Sequence, residues 1–144
     1  MPGLTVTRFT AAAASVAACA ATLLVASSSP VEAVPGLAGR SYVSVSVTPA
    51  PIPGGGPLRI AFAEKDRVSL SAGCNRMIGT VTAKGDRLVF SQLASTKMAC
   101  PPPRDHADGW AVDFAKQSPS YRLVGPGLTL STPTTTVLLR EDSA

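Results

Sequence analysis

Ser41-Tyr42-Val43-Ser44-Val45-Ser46-Val47 alternates apolar with polar side chains. Successive side chains of an extended chain point to opposite faces, so a period of two reads as a half-buried strand. Moving outward from it, the same pattern recurs in short pieces. Leu58, Ile60 and Phe62 alternate with Arg59 and Ala61, Glu64-Lys65-Asp66 makes a polar turn, and Val68 and Leu70 continue beyond it, which is a hairpin. Ile78 to Thr82 and Leu88-Val89-Phe90 flank a Lys84-Gly85-Asp86 turn in the same way. Tyr121 with Leu123, Leu128 with Leu130, and Val137 with Leu139 supply three further strands. Between the first strand and the second, Thr48 to Pro57 holds four prolines and three consecutive glycines. Such a run cannot donate a regular ladder of hydrogen bonds and is expected to form an exposed loop.

One segment departs from period two. Ala107, Trp110, Ala111 and Phe114 stand at i, i+3, i+4 and i+7 and form a single apolar stripe, the mark of an amphipathic helix. Asp105 is placed to cap its start, Asp108 adds a carboxylate near the positive end of the dipole, and Ser118-Pro119 ends it. The expected fold class is α+β: an antiparallel sheet curled into a partly open β-barrel, with this helix packed against the open side through Trp110 and Phe114.

The chain has 144 residues with 45% hydrophobic side chains, one ordinary domain or less, which excludes a multidomain enzyme. The net charge of +4 comes from single basic residues scattered along the chain. With no basic run to neutralise a track of phosphates, nucleic acid is not an expected partner. Arg59, Arg67, Arg76 and Arg87 alternate with apolar residues and are expected to point outward into solvent, with contact to an acidic envelope surface as the alternative.

At the N-terminus, Arg8 precedes an uncharged, alanine-rich stretch from Phe9 to Ala26, and Val31-Glu32-Ala33 follows. A basic start, an apolar core and a small residue at the cut read as a signal peptide over residues 1–33, leaving a domain over 34–144. The chain is therefore expected to be secreted or held in the cell envelope. Two alternatives stand beside this reading. The apolar stretch is near the lower length limit for an uncleaved membrane anchor. Val16-Ala17-Ala18-Cys19 resembles a lipobox, which would lipidate Cys19, although Leu23, Leu24 and Val25 continue the apolar core where a polar tether is normal. Membrane contact is expected only through one of these segments.

Removing residues 1–33 leaves Cys74 and Cys100 as a pair in an oxidising compartment, so a disulfide is expected, with two buried free thiols as the alternative. Closing that separation removes about 3–4 kcal/mol of unfolded-state freedom in the chain-entropy account.

Ala72-Gly73-Cys74-Asn75-Arg76 followed by Gly79, and then Ala94-Ser95-Thr96-Lys97-Met98-Ala99-Cys100-Pro101, resemble the paired signature of the META domain family, which includes the heat-shock protein HslJ. Tyr121-Arg122-Leu123 with Leu128-Thr129-Leu130 is similar to that family's C-terminal strands. The resemblance covers about residues 37 to 140 and implies a partly open barrel, export or membrane anchoring in bacteria, and no established catalysis. Association with heat shock and other stress is implied in the same way. Tyr42 stands where many members carry tryptophan. Gly73, Asn75, Gly79, Thr96 and Met98 are the motif positions of interest beside the two cysteines.

Each candidate for chemistry has a plainer counterpart. Gly73-Cys74-Asn75 reads as a tight corner, with glycine able to adopt a positive φ and asparagine bonding neighbouring backbone, against a reactive Cys74 nucleophile that an oxidised pair abolishes. Cys74, Cys100 and His106 with Asp105 or Asp108 lack the spacing of a zinc motif, and no metal or other cofactor is expected. His106 is the sole histidine, so a hydrolase would have to use it with Ser95, Ser118 or Cys100; adjacency in sequence is expected to turn Asp105 away from its ring. Trp110 and Phe114 read first as core and second as a lipid or peptide groove beside the helix. The expected function is a non-enzymatic envelope protein that binds or protects an envelope protein or lipid. A lipid-binding or pilot-like module using that groove is the alternative.

Overall fold

The structure, a computed structural model, describes Gly3 and residues 34–143. The signal peptide expected over residues 1–33, with Cys19 within it, lies outside the described residues, Gly3 apart. Eight strands follow one another: β1 Ser41–Thr48, β2 Arg59–Phe62, β3 Arg67–Ser71, β4 Arg76–Lys84, β5 Arg87–Ser95, β6 Ser120–Val124, β7 Gly127–Ser131 and β8 Thr136–Glu141. Helix α1, Asp105–Lys116, stands between β5 and β6, and a short 3-10 turn covers Pro53–Gly55. Every strand pairs antiparallel with its sequence neighbour, and β8 returns to β1.

The sheet is a closed barrel, where the sequence suggested a partly open one. Closure is unequal around the ring. β4 and β5 pair along nearly their whole length, from Met77 opposite Ser95 to Lys84 opposite Arg87. β5 and β6 share only the Arg87–Ser120 pair, helped by Leu88 N–H donating to Pro119 C=O at 2.9 Å and Tyr121 N–H to Asp86 C=O at 2.7 Å. Beyond that pair, α1 packs against β5 and against the Pro53–Gly55 turn, filling the side that strand pairing leaves open. Ala107, Ala111, Phe114 and Ala115 are its buried face.

Three local expectations change. In β1, Tyr42 is buried while Val45 is 67% exposed, so the valine face does not point inward along its whole length. The register with β8 shifts between Ser44 and Ser46. One extra residue exchanges the faces of a period-two pattern, and Val47 returns to the core after the bulge. Tyr42 meets Phe62 edge-on at 6.0 Å; its buried hydroxyl makes no well-aligned hydrogen bond but lies beside the Arg40 guanidinium, whose pKa it helps to raise. The Pro/Gly loop is not simply exposed either: Ile52 is 3% exposed and belongs to the core, anchoring the turn on which α1 rests. Finally, Asp105 does not cap the helix. Arg104 holds the N-cap position with no side-chain capping bond, and Asp105 is the first helical residue.

The lead-in also joins the core. Val34 and Leu37 are buried, Gly39 N–H donates to Phe62 C=O at 2.7 Å, and Phe62 N–H donates to Arg40 C=O at 2.8 Å, so the segment extends the β1–β2 pairing.

Candidate functional site

The corner between β3 and β4 gathers the residues singled out in the sequence. β3 ends at Ser71 and β4 starts at Arg76, leaving Ala72-Gly73-Cys74-Asn75 to turn beside the first turn of α1 and the segment that follows β5. Asn75 is the buried polar residue of the described chain, and its side-chain amide is fully used. Its Nδ2 donates to Asp108 Oδ2 at 2.7 Å and to Met98 C=O at 3.2 Å; its Oδ1 accepts from Met98 N–H at 2.6 Å and from Thr96 Oγ1 at 3.0 Å. Asn75 N–H donates to Asp108 Oδ1 at 3.3 Å. An amide with two donors and two acceptor positions can join three segments at once, and buried amides need that satisfaction.

Gly73 explains why the three segments fit. A Cβ there would lie 2.7 Å from Arg104 C=O and 2.9 Å from Ala107 Cβ, so glycine permits the helix start to approach. The expected positive φ is not its reason; Gly73 is absent from the left-handed residues of the chain. Gly79 serves a similar end at the irregularity between β4 and β5, where a Cβ would meet Ser91 C=O at 2.6 Å. Cys74 and Cys100 stand with Cα atoms 6.1 Å apart, at disulfide distance, one on the corner and one on the segment leading to α1. Met98 takes part through its backbone alone, since its side chain is 66% exposed.

Other candidates are not brought together. His106 is exposed, and its Nε2 lies 3.6 Å from Asp105 Oδ1, so adjacency did not turn that carboxylate away; the contact is a surface one. Among the described residues no group of three or more His, Cys, Asp or Glu side chains could hold a metal ion. Trp110 stacks on Phe114 with ring centroids 5.4 Å apart. Phe114 is 3% exposed and belongs to the core, which leaves only the half-buried Trp110 to face a groove. No helix of the described residues is long and apolar enough to cross a membrane.

A feature that sequence reasoning missed lies on the outer face of β1, β2 and β3, next to the corner. A cavity of about 430 Å³ opens there, lined by Arg59, Ser69, Ser71, Arg76 and Asp142 among others. Arg59 opposes Ser71, and Ser71 opposes Arg76, so the two arginines flank one serine in a row across three strands. Arg59 Nη1 donates to Asp142 Oδ2 at 3.2 Å and Arg76 Nη2 to Ser69 Oγ at 3.3 Å. The outward alternation of these arginines was legible; the row was not, because it exists only once the strands are in register.

An eight-stranded antiparallel barrel with a helix set between its fifth and sixth strands, its signature corner tied by asparagine, defines the class of protein. A model of the META domain family matches residues 35–144, and the chain belongs to that family. It is similar in fold to a protein from Burkholderia xenovorans solved by NMR, at 20% identity and a TM-score of 0.62, over 75% of this chain and 85% of that one. A second NMR structure is similar at 28% identity and a TM-score of 0.57, over 71% of this chain and 88% of the other. Comparison with curated proteins gives no match.

Proposed function

We propose that this META-domain protein is exported, works in the cell envelope without catalysing a reaction, and acts by binding or protecting other envelope components. The observation that carries the reading is the meeting of Cys74 and Cys100, where an oxidising compartment closes them into a staple between the β3–β4 corner and the segment before α1. The signal-like segment supports it, as does the position of Val34, whose side chain is already 3% exposed in the core next to the expected cut after Ala33. At this corner the amide is fully bonded and the cysteines are paired, so these groups are committed to architecture, which suits a scaffold better than a reacting centre.

Intact-mass and N-terminal analysis of the protein recovered from its own cells tests this. A chain starting at Val34, with both cysteines blocked to alkylation until reduced, is the expected result. Two freely alkylated thiols would remove the staple; a retained residue 1–33 segment would remove the processed, exported form; a lipid on Cys19 would replace secretion by anchoring.

A further inference from the structure

We propose that the cavity on the outer face of β1, β2 and β3 binds a small anionic carbohydrate, with Arg59 and Arg76 gripping the acidic group and Ser71 between them, with the neighbouring Ser69, contacting hydroxyls. The inference deepens the binding reading above and rests on it. Three observations carry it.

The first is position. Strand pairing sets Arg59, Ser71 and Arg76 side by side in one row, and Ala61 opposite Ser69 in the next. Small side chains in the middle leave the depression open, and long basic ones stand on either side of it. The second is charge. A guanidinium presents a planar fork that matches a carboxylate or phosphate, and Arg76 has no carboxylate partner among the described residues, its Nη2 being held instead by Ser69 Oγ. The third is the chain's own carboxylate. Asp142, just past β8, reaches Arg59 at 3.2 Å with both side chains about half exposed. It already places one carboxylate oxygen on one wall of the cavity, and so shows what chemistry that wall accepts. A volume of about 430 Å³ is within the range of small-molecule sites. Hydroxyl groups on the floor favour a hydroxyl-bearing ligand over a purely apolar one.

Asp142 is then a competitor. An incoming anion must displace it from Arg59 or share that guanidinium with it, which predicts effects of opposite sign at the two kinds of residue. Glucuronate and glucose 6-phosphate share the required chemistry and differ in the anion; neutral glucose lacks it. Titrating each into the full chain purified from its own cells, followed by backbone and arginine side-chain NMR, should give saturable shifts at Arg59, Ser69, Ser71 and Arg76 with one or both acids and none with glucose. Arg76→Gln should weaken binding about tenfold, as loss of a charge-assisted fork does, whereas Asp142→Asn should tighten it by about threefold. Loss of binding in both variants would mean a folding effect and overturn the assignment, as would equal binding of glucose. No saturable shift with either acid in protein shown to be oxidised and processed overturns the ligand while leaving the export reading intact. Saturable binding by protein with free thiols supports the ligand and overturns export.

Discussion

The Gly73–Asn75 corner and the Val34–Arg40 lead-in both tie loose chain to the barrel, by opposite means. The corner uses a directional network: four bonds from one amide, a glycine with no room for a methyl group, and a cysteine pair. The lead-in uses two apolar side chains, Val34 and Leu37, with backbone bonds along a segment that turns through Gly36 and Gly39 at positive φ. Apolar burial is non-directional and tolerates small displacements, whereas a saturated amide requires each partner in place. The corner therefore determines where α1 begins, while the lead-in adds stability without setting geometry.

The largest expected effect breaks the corner with no change of size. Asn75→Asp removes both Nδ2 donors and sets a carboxylate where the amide nitrogen now meets Asp108 at 2.7 Å. Two like charges sharing one site cannot both stay ionised cheaply, so about 3 kcal/mol of stability should be lost at neutral pH. The new carboxyl binds its proton more tightly folded than unfolded. Its penalty is thus smallest below the unfolded carboxylate range and grows as the pH rises through and above it. Urea unfolding at pH 4 and pH 7 reads this; equal losses at both would show that the amide's geometry and not charge is what matters.

Leu37→Ala should cost about 2.5 kcal/mol, the usual range for a truncated core leucine, with no pH dependence and with the amide signals of Thr96, Met98 and Asp108 unmoved. Movement of those signals would join the two regions into one and dissolve the contrast. The smallest effect belongs to Tyr42→Phe. Its hydroxyl is buried with the Arg40 guanidinium beside it but makes no well-aligned hydrogen bond, so removing it should change stability by less than about 0.5 kcal/mol in urea. A loss of more than about 1 kcal/mol would show that the hydroxyl finds a partner in solution.

Much of this arrangement was legible in the chain. The alternating residues marked all eight strands, and Ala107, Ala111 and Phe114 marked the helix face, because period two and period 3.6 each expose one apolar side. The family signature marked Gly73, Asn75 and Thr96 without saying what they do. Asparagine at a turn has the chemistry to bond its neighbouring backbone, yet the side-chain partners of Asn75 are 21 to 33 residues away. The cap of α1 was misplaced because Asp105 has cap chemistry, while the backbone enters the helix one residue earlier.

Sequence alone determined the local terms: which residues are extended, which turn, and which stripe must be covered, since these follow from side-chain spacing and from what glycine and proline allow. The barrel's closure at one strand pair, the face exchange in β1, the amide hub and the row of Arg59, Ser71 and Arg76 were decided only in three dimensions. Each depends on register and on chain segments distant in sequence, and neither is encoded in any single stretch of residues: a strand carries its own alternation but not the offset at which its neighbour will lie.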